Sequence, residues 1–322
     1  MRVLTFNSHE AYIANLARVG YPLDVICDLP GHHVSGWDER MRPIPENVRI
    51  VGLERALAQA SQYDCIIGHN ITDLLAVKHA DGPARILVLH SSLDGRIAEE
   101  RSSVDSGALR AAIEKYLALV RGRLVVISEM KAESWGLAAE VIPGAVDIDD
   151  YGSWEGCVAS GLRVANHVGL KAAYLLWPFH EAIFQNELPC RLVGVNPDRD
   201  GVEPARNWDD LKRLYREHRF FVHTAAPGLE DGYNLASLEA MAAGLPLVCN
   251  AHPSCPVEDG RSGIVSDSPE ILREGVRRLL AEPELARTMG EAGREIVHER
   301  FSMPAFIDSW QRVIEEASAS RA

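Results

Sequence analysis

Short apolar runs alternate with longer stretches of helical spacing along most of this chain. Arg2–Phe6, Leu23–Cys27, Cys65–Gly68, Ile86–Leu89, Leu124–Ser128 and Glu140–Ile142 read as strands. Between them, apolar residues recurring every three or four positions predict helices at Ala11–Val19, Leu53–Ser61, Ile71–His79, Gly107–Arg121 and Glu129–Gly136. The Pro-, Gly- and charge-rich segment Asp28–Asn47 and the polar segment Ser91–Asp105 read as loops. Strands that are apolar throughout, each followed by a helix, predict a parallel sheet covered on both faces. In open sheets of this kind ligands bind beyond the carboxyl ends of the strands.

Pro143–Asp147 and the acidic, Gly-containing stretch after it break the rhythm, which then resumes. The break predicts two domains, 1–150 and 151–322. In the second, Leu162–Ala165, Arg191–Val195, Phe220–Thr224, Leu247–Asn250 and Gly263–Val265 read as strands. Helices are expected at Lys171–Phe184, Trp208–Glu217, Leu235–Ala243, Pro269–Ala281, Glu284–Arg300 and Met303–Ala317.

The most informative stretch is Pro227–Asn250. Leu235, Leu238, Met241 and Ala242 recur at helical spacing, Asn234 is a natural N-cap, and Gly244 with Pro246 is a stop signal. Glu239 interrupts this apolar helix, and a buried carboxylate is costly unless something pairs with it. The N–H groups at the helix start suit a phosphate, and Gly232 lets backbone approach closely. Glu239, one turn beyond Leu235, and Asp231, just ahead of the helix, would then frame a diphosphate carrying hydroxyl groups on both sides. A nucleotide-diphosphate sugar has that form.

Asp231-Gly-Tyr-Asn-Leu-Ala-Ser-Leu-Glu239-Ala-Met-Ala-Ala-Gly-Leu-Pro resembles the donor-site signature of family 4 glycosyltransferases of the GT-B fold. That family places two glutamates where this chain has Asp231 and Glu239, and a second glycine where this chain has Asn234. The resemblance implies donor contacts from Gly232, Tyr233, Asn234 and Leu235, with Asp231 and Glu239 gripping the sugar and ribose hydroxyls. Val164–Lys171 is similar to the family's Val-Gly-Arg…Lys element, in which both cations face the diphosphate. Lys171 falls on the Lys and Asn166 on the Arg, so one positive charge is missing unless Arg163 compensates. Pro143–Asp147 is similar to the family's hinge, and the last helix would cross back to the first domain.

His90 closes the strand Ile86–Leu89 and is similar to the histidine that the family sets against the transferred sugar; the competing reading is a structural histidine. His69 ends the preceding strand, and with His9 and Glu10 after the first strand it is a candidate for the acceptor side. His167, His180 and His223 read as structural, and Ala251–Gly263 as a rigid, proline-rich turn bordering the nucleotide or packing alone.

Composition narrows the field. At 322 residues, 47% hydrophobic and 25% charged, the chain has an ordinary globular balance and room for two domains. A net charge of −13 argues against nucleic acid and against a general attraction to anionic membranes. Cys27, Cys65, Cys157, Cys190, Cys249 and Cys255 form no Cys-x-x-Cys pair and read as reduced thiols. The chain start has too short an apolar run for a signal peptide and no segment reaches transmembrane length, so a cytoplasmic location is expected. A Gly-x-Gly-x-x-Gly fingerprint is absent, which weighs against a dinucleotide enzyme.

The resulting expectation is an α/β protein of GT-B type, two Rossmann-like domains facing each other across a cleft. Its activity would be retaining transfer of a sugar from a nucleotide-diphosphate sugar to a small-molecule, glycan or lipid hydroxyl, with no cofactor and no metal. A sugar-nucleotide epimerase or phosphorylase of the same fold is one alternative. A nucleotide-sugar-binding protein of weakened activity is another.

Overall fold

The computed structural model describes residues 1–29, 36–99, 104–185 and 187–320, so parts of the two expected loops, 30–35 and 100–103, lie outside the described residues. The chain divides into two compact units, Met1–Gly144 with Met303–Ala322, and Ala145–Ser302.

The first unit is built on seven parallel strands: β1 (Val3–Phe6), β2 (Leu23–Ile26), β3 (Val48–Val51), β4 (Cys65–Gly68), β5 (Ala84–Leu89), β6 (Arg123–Val126) and β7 (Glu140–Val141). Its helices are α1 (Glu10–Ala17), α2 (Leu53–Ala58), α3 (Ile71–Ala76), α4 (Leu93–Glu99), α5 (Ser106–Val120) and α6 (Glu129–Trp135). Strand order β3-β2-β1-β4-β5-β6-β7 reverses direction at β1/β4, the switch point where doubly wound sheets hold ligands. One face of the sheet presents Leu4, Phe6, Ile66, Leu87, Leu89, Leu124 and Val126 to Leu74, Ile113 and Trp135. The alternate residues Val3, Ile67, Ile86, Val88 and Val125 are equally buried, and the terminal helix α12 (Met303–Ala319) packs against β4 and β5. Burial of both residue sets explains why the strands read as unbroken apolar runs.

Two elements escape the periodicity reading. In β3, Arg49 interrupts the apolar run because its guanidinium forks onto buried Asp24 of β2, 3.0 and 2.7 Å away. In the expected polar loop, the Ser92 hydroxyl accepts from Gly95 N–H at 2.9 Å and starts α4.

The second unit carries β8 (Val158–Val164), β9 (Cys190–Val193), β10 (His218–His223), β11 (Leu247–Cys249) and β12 (Gly263–Val265), all parallel, in the order β12-β11-β10-β8-β9. The order switches direction between β8 and β10. Helices α7 (Trp177–Phe184), α8 (Trp208–Glu217), α9 (Leu235–Ala242), α10 (Pro269–Ala281) and α11 (Pro283–Arg300) connect the strands or follow the last of them. The expected helix from Lys171 is corrected. Residues 169–176 form turns, and α7 begins only at Trp177, where Pro178 supplies no N–H to continue a helix upstream and Leu176 sits in the left-handed region at φ 45°.

Candidate functional site

In the second unit, the site grows from the start of α9. Asn234 caps the helix through a reciprocal pair: its Oδ1 accepts from Ser237 N–H at 2.9 Å, and its own N–H donates to Ser237 Oγ at 2.8 Å. The N–H groups of Leu235 and Ala236 are left without an acceptor among the described residues. Both residues are half-buried, so two aligned donors stand open at the positive end of the helix. Gly244 at φ +88° ends the helix in the left-handed turn its stop signal implied.

Gly232 is required by a close approach. A Cβ there would meet His252 Nδ1 at 2.8 Å and Cys255 N at 2.9 Å. The neighbouring loop does more than pack, because Ser254 Oγ accepts from Gly232 N–H at 2.8 Å and lies 3.5 Å from Asp231 Oδ1. This corrects the expected phosphate cradle. The N–H groups of Gly232 and Asn234 are already engaged, and the open pair is Leu235 and Ala236. Asp231 is covered, at 1% exposure, and its carbonyl lies 3.3 Å from His223 Nε2. Tyr233 is half-buried with its ring 5.0 Å from Phe301.

Glu239 is buried inside α9, and Tyr215 of α8 donates its hydroxyl to Oε2 at 3.0 Å. That bond supplies part of the compensation a buried carboxylate needs. Tyr215 sits in the apolar stripe of α8 with Leu211 and Leu214, so its sequence context signals only core. Ser254 carried a weak signal: a polar residue in a turn beyond the carboxyl end of a strand.

At the carboxyl end of β8, Lys171 is half-buried, and its ammonium meets no carboxylate among the described residues. Asn166 spends its Oδ1 on Val195 N–H at 2.8 Å, bracing the loop after β9. Arg163 does not replace the missing cation. Its side chain is buried, donates to Thr224 Oγ1 at 2.9 Å and Leu175 O at 3.0 Å, and lies over the Trp177 ring at 5.0 Å. Burial lowers its pKa to about 10. His180 and His223 are buried in the same unit, and burial pulls them down to about 2 and about 4.

In the first unit, His9, Glu10, His69 and His90 lie past the carboxyl ends of β1, β4 and β5, flanking its switch point. His9 is exposed, and Glu10 accepts from Asn7 Nδ2 at 3.2 Å. His69 is buried, and both ring nitrogens are engaged: Nε2 with Thr5 Oγ1 at 2.9 Å and Nδ1 with His90 Nε2 at 2.9 Å. His90 is half-buried. Burial first, then the repulsion that a proton on His69 would add and that of Lys131 and His9, hold it well below the usual histidine range, so its ring is neutral at pH 7.

Comparisons with known proteins bear on both units. Residues 177–311 match the family model described as glycosyl transferase-like. A D-inositol 3-phosphate glycosyltransferase of Segniliparus rotundus is 36% identical over 110 residues, 33% of this chain and 23% of that protein. An uncharacterized glycosyltransferase of Methanocaldococcus jannaschii is 26% identical over 117 residues, 35% of this chain and 32% of that protein. The matched stretch thus spans a third or less of these relatives. Anabaena HepE, solved with UDP and glucose, superposes with a TM-score of 0.71 at 15% identity, covering 98% of this chain and 99% of that one. A sucrose-phosphate synthase from Thermosynechococcus elongatus gives 0.68 at 14%, covering 99% and 100%. These two structures cover nearly the whole chain, and the fold is GT-B: two Rossmann-like units built on parallel sheets.

Proposed function

We propose that this chain is a retaining glycosyltransferase that moves a sugar from a nucleotide-diphosphate sugar to an acceptor hydroxyl. The observation that carries the reading is the open N–H pair of Leu235 and Ala236 with buried Glu239 one turn further along the same helix. An anion fits the first, and a ribose diol fits the second. In this reading the diphosphate rests on the two N–H groups, and Lys171 supplies the cation. As the glycosidic bond breaks, negative charge grows on the leaving diphosphate, and donors already pointed at it stabilise that change without reorganising. Charge is met by protein groups throughout, so the reading assigns no metal and no cofactor. Asp231 reaches a sugar hydroxyl only if Ser254 gives way. In the first unit, His90 is read as a contact for a sugar hydroxyl. Support comes from the family match over the donor unit and from HepE, which was solved with UDP-glucose.

The test is a panel of nucleotide sugars scored by thermal stabilisation of the wild-type chain and of Glu239→Ala. One donor should raise Tm in the wild type and lose most of that effect in the variant. Stabilisation that survives the substitution places the nucleotide elsewhere.

A further inference from the structure

Beneath the carboxyl ends of β1, β4 and β5, three contacts run in series. Thr5 Oγ1 lies 3.0 Å from the Ile67 carbonyl and 2.9 Å from His69 Nε2, and His69 Nδ1 lies 2.9 Å from His90 Nε2. Taking the buried His69 ring as neutral, like that of His90, protons fill these contacts in one way. The Ile67 carbonyl can only accept, so the Thr5 hydroxyl donates to it. Thr5 Oγ1 then accepts from Nε2–H of His69. A neutral His69 with its proton on Nε2 is bare at Nδ1, so it accepts from Nε2–H of His90. A neutral His90 is in turn bare at Nδ1. Reversing the chain leaves two oxygens, Ile67 O and Thr5 Oγ1, facing each other with no proton between them.

The surroundings hold this arrangement still. Thr5 is 0% exposed and His69 is 5% exposed, so a charged imidazolium at His69 would be costly. The His69 backbone N–H donates to Asp73 Oδ2 at 2.7 Å. Tyr12 of α1 stands edge-on to both rings, with centroids 4.7 Å from His90 and 5.6 Å from His69. Among the described residues, nothing bonds to His90 Nδ1.

We infer that His69 is a positioning residue: anchored by Thr5, it fixes His90 as the Nε2–H tautomer, so that His90 offers a bare Nδ1 as a hydrogen-bond acceptor for a hydroxyl of a neutral, polyhydroxylated ligand. His90 therefore receives a hydroxyl proton in a hydrogen bond and does not act as a cation. The role of His90 toward a sugar rests on the proposed transferase reading; the tautomer does not.

The experiment uses the full chain with histidine-selective 15N labelling, and long-range proton–nitrogen correlation reports the tautomer of each ring. His90, assigned by loss of its signals in His90→Gln, should show a protonated Nε2 and a bare Nδ1 at neutral pH. His69→Asn keeps an acceptor where Nδ1 stood and should preserve that pattern. His69→Leu removes the acceptor and should give a mixed His90 tautomer. If His69→Leu does not fold, Thr5→Val removes the anchoring oxygen and should mix the tautomers of both rings. In transfer assays with the donor found in the thermal panel, His69→Leu should lower kcat about tenfold, the scale of one misplaced hydrogen bond, with donor stabilisation unchanged and His69→Asn restoring most of the rate. A protonated Nδ1 on His90, or a tautomer indifferent to both His69→Leu and Thr5→Val, overturns the inference. If the tautomers move as expected while no nucleotide sugar binds, the positioning role stands and the transferase reading fails.

Discussion

The carboxyl ends of the two sheets are finished in opposite ways. In the first unit, hydrogen bonds link ring, hydroxyl and carbonyl in series, and both nitrogens of His69 are occupied. In the second, two N–H groups at the start of α9 and the ammonium of Lys171 have no acceptor or carboxylate of their own among the described residues. An internally satisfied, neutral cluster offers a single directed acceptor and little affinity for charge. A terminus with open donors and an unpaired cation is paid back only when an anion arrives. In the proposed reading, the same α/β plan thus serves hydroxyl recognition in one unit and phosphate binding in the other.

The contrast breaks first, and hardest, at Glu239. Glu239→Ala removes the proposed ribose grip and also the hydrogen bond that the buried Tyr215 hydroxyl donates to Oε2. Transfer should fall by roughly 100- to 1000-fold in kcat/KM, about 3–4 kcal/mol. Loss of that hydrogen bond should cost about 1–3 kcal/mol of stability besides. Glu239→Gln keeps an oxygen for Tyr215, so it should recover stability while transfer stays low. Recovery of both would mean that Glu239 serves Tyr215 alone.

Acid reaches buried histidines in both units. Burial holds His180 at about 2, His223 at about 4 and His90 well below the usual range. Because these folded-state values are depressed, the unfolded chain binds protons first as pH falls below about 6.5. Stability should therefore be flat above that pH and drop by about 1.4 kcal/mol per pH unit for each ring as pH falls from about 6 towards about 4. Denaturant midpoints across that range measure the slope. His180 lies tilted 4.5 Å from Trp177 and 4.8 Å from Phe184, so His180→Phe should fit an aromatic slot and flatten the slope by one ring's share. An unchanged slope would show that His180 is not buried neutral.

What the sequence could show of all this follows from the range of the interactions. Alternating apolar runs announce the sheets because both strand faces are buried, and they fail at β3 because Arg49 serves Asp24 of the next strand. The α9 start was legible because its cap, Asn234, and its stop, Gly244, act within a few residues of themselves. Pro178 was equally visible, yet the left-handed Leu176 that delays α7 was not. Contacts between distant positions leave little local trace. The Ser254 hydroxyl on Gly232, the Tyr215 hydroxyl on Glu239 and the Thr5 hydroxyl on His69 each join residues more than 20 positions apart. These contacts decide which expected donors stay open.

Lys171→Ala tests whether the second site is built for an anion. A charge-assisted contact to a diphosphate is worth about 1.5–3 kcal/mol, so nucleoside-diphosphate affinity should drop roughly 10- to 100-fold, and Lys171→Arg should recover part of it. The loss should shrink as salt rises, because a half-buried cation is partly screened. Titration calorimetry at low and high salt reads both quantities. A Kd that does not move with Lys171→Ala would leave only the helix end to attract the phosphates.

The smallest effect is expected at Asn166, where the two readings of a single side chain can be pulled apart. Its Oδ1 is spent on Val195 N–H, so only the Nδ2 group is available to a phosphate, and a neutral hydrogen bond contributes about 0.5–1.5 kcal/mol. Asn166→Ala should weaken nucleoside-diphosphate binding by no more than about tenfold, and cost little stability because Val195 is 47% exposed and its N–H can turn to water. Asn166→Asp is the sharper probe. It preserves the acceptor for Val195 but replaces the donor with a negative charge, so binding should weaken more than in the alanine variant while Tm stays at the wild-type value. Equal affinity in the Asp variant and the wild type would turn Asn166 away from the phosphates and leave that side to Lys171.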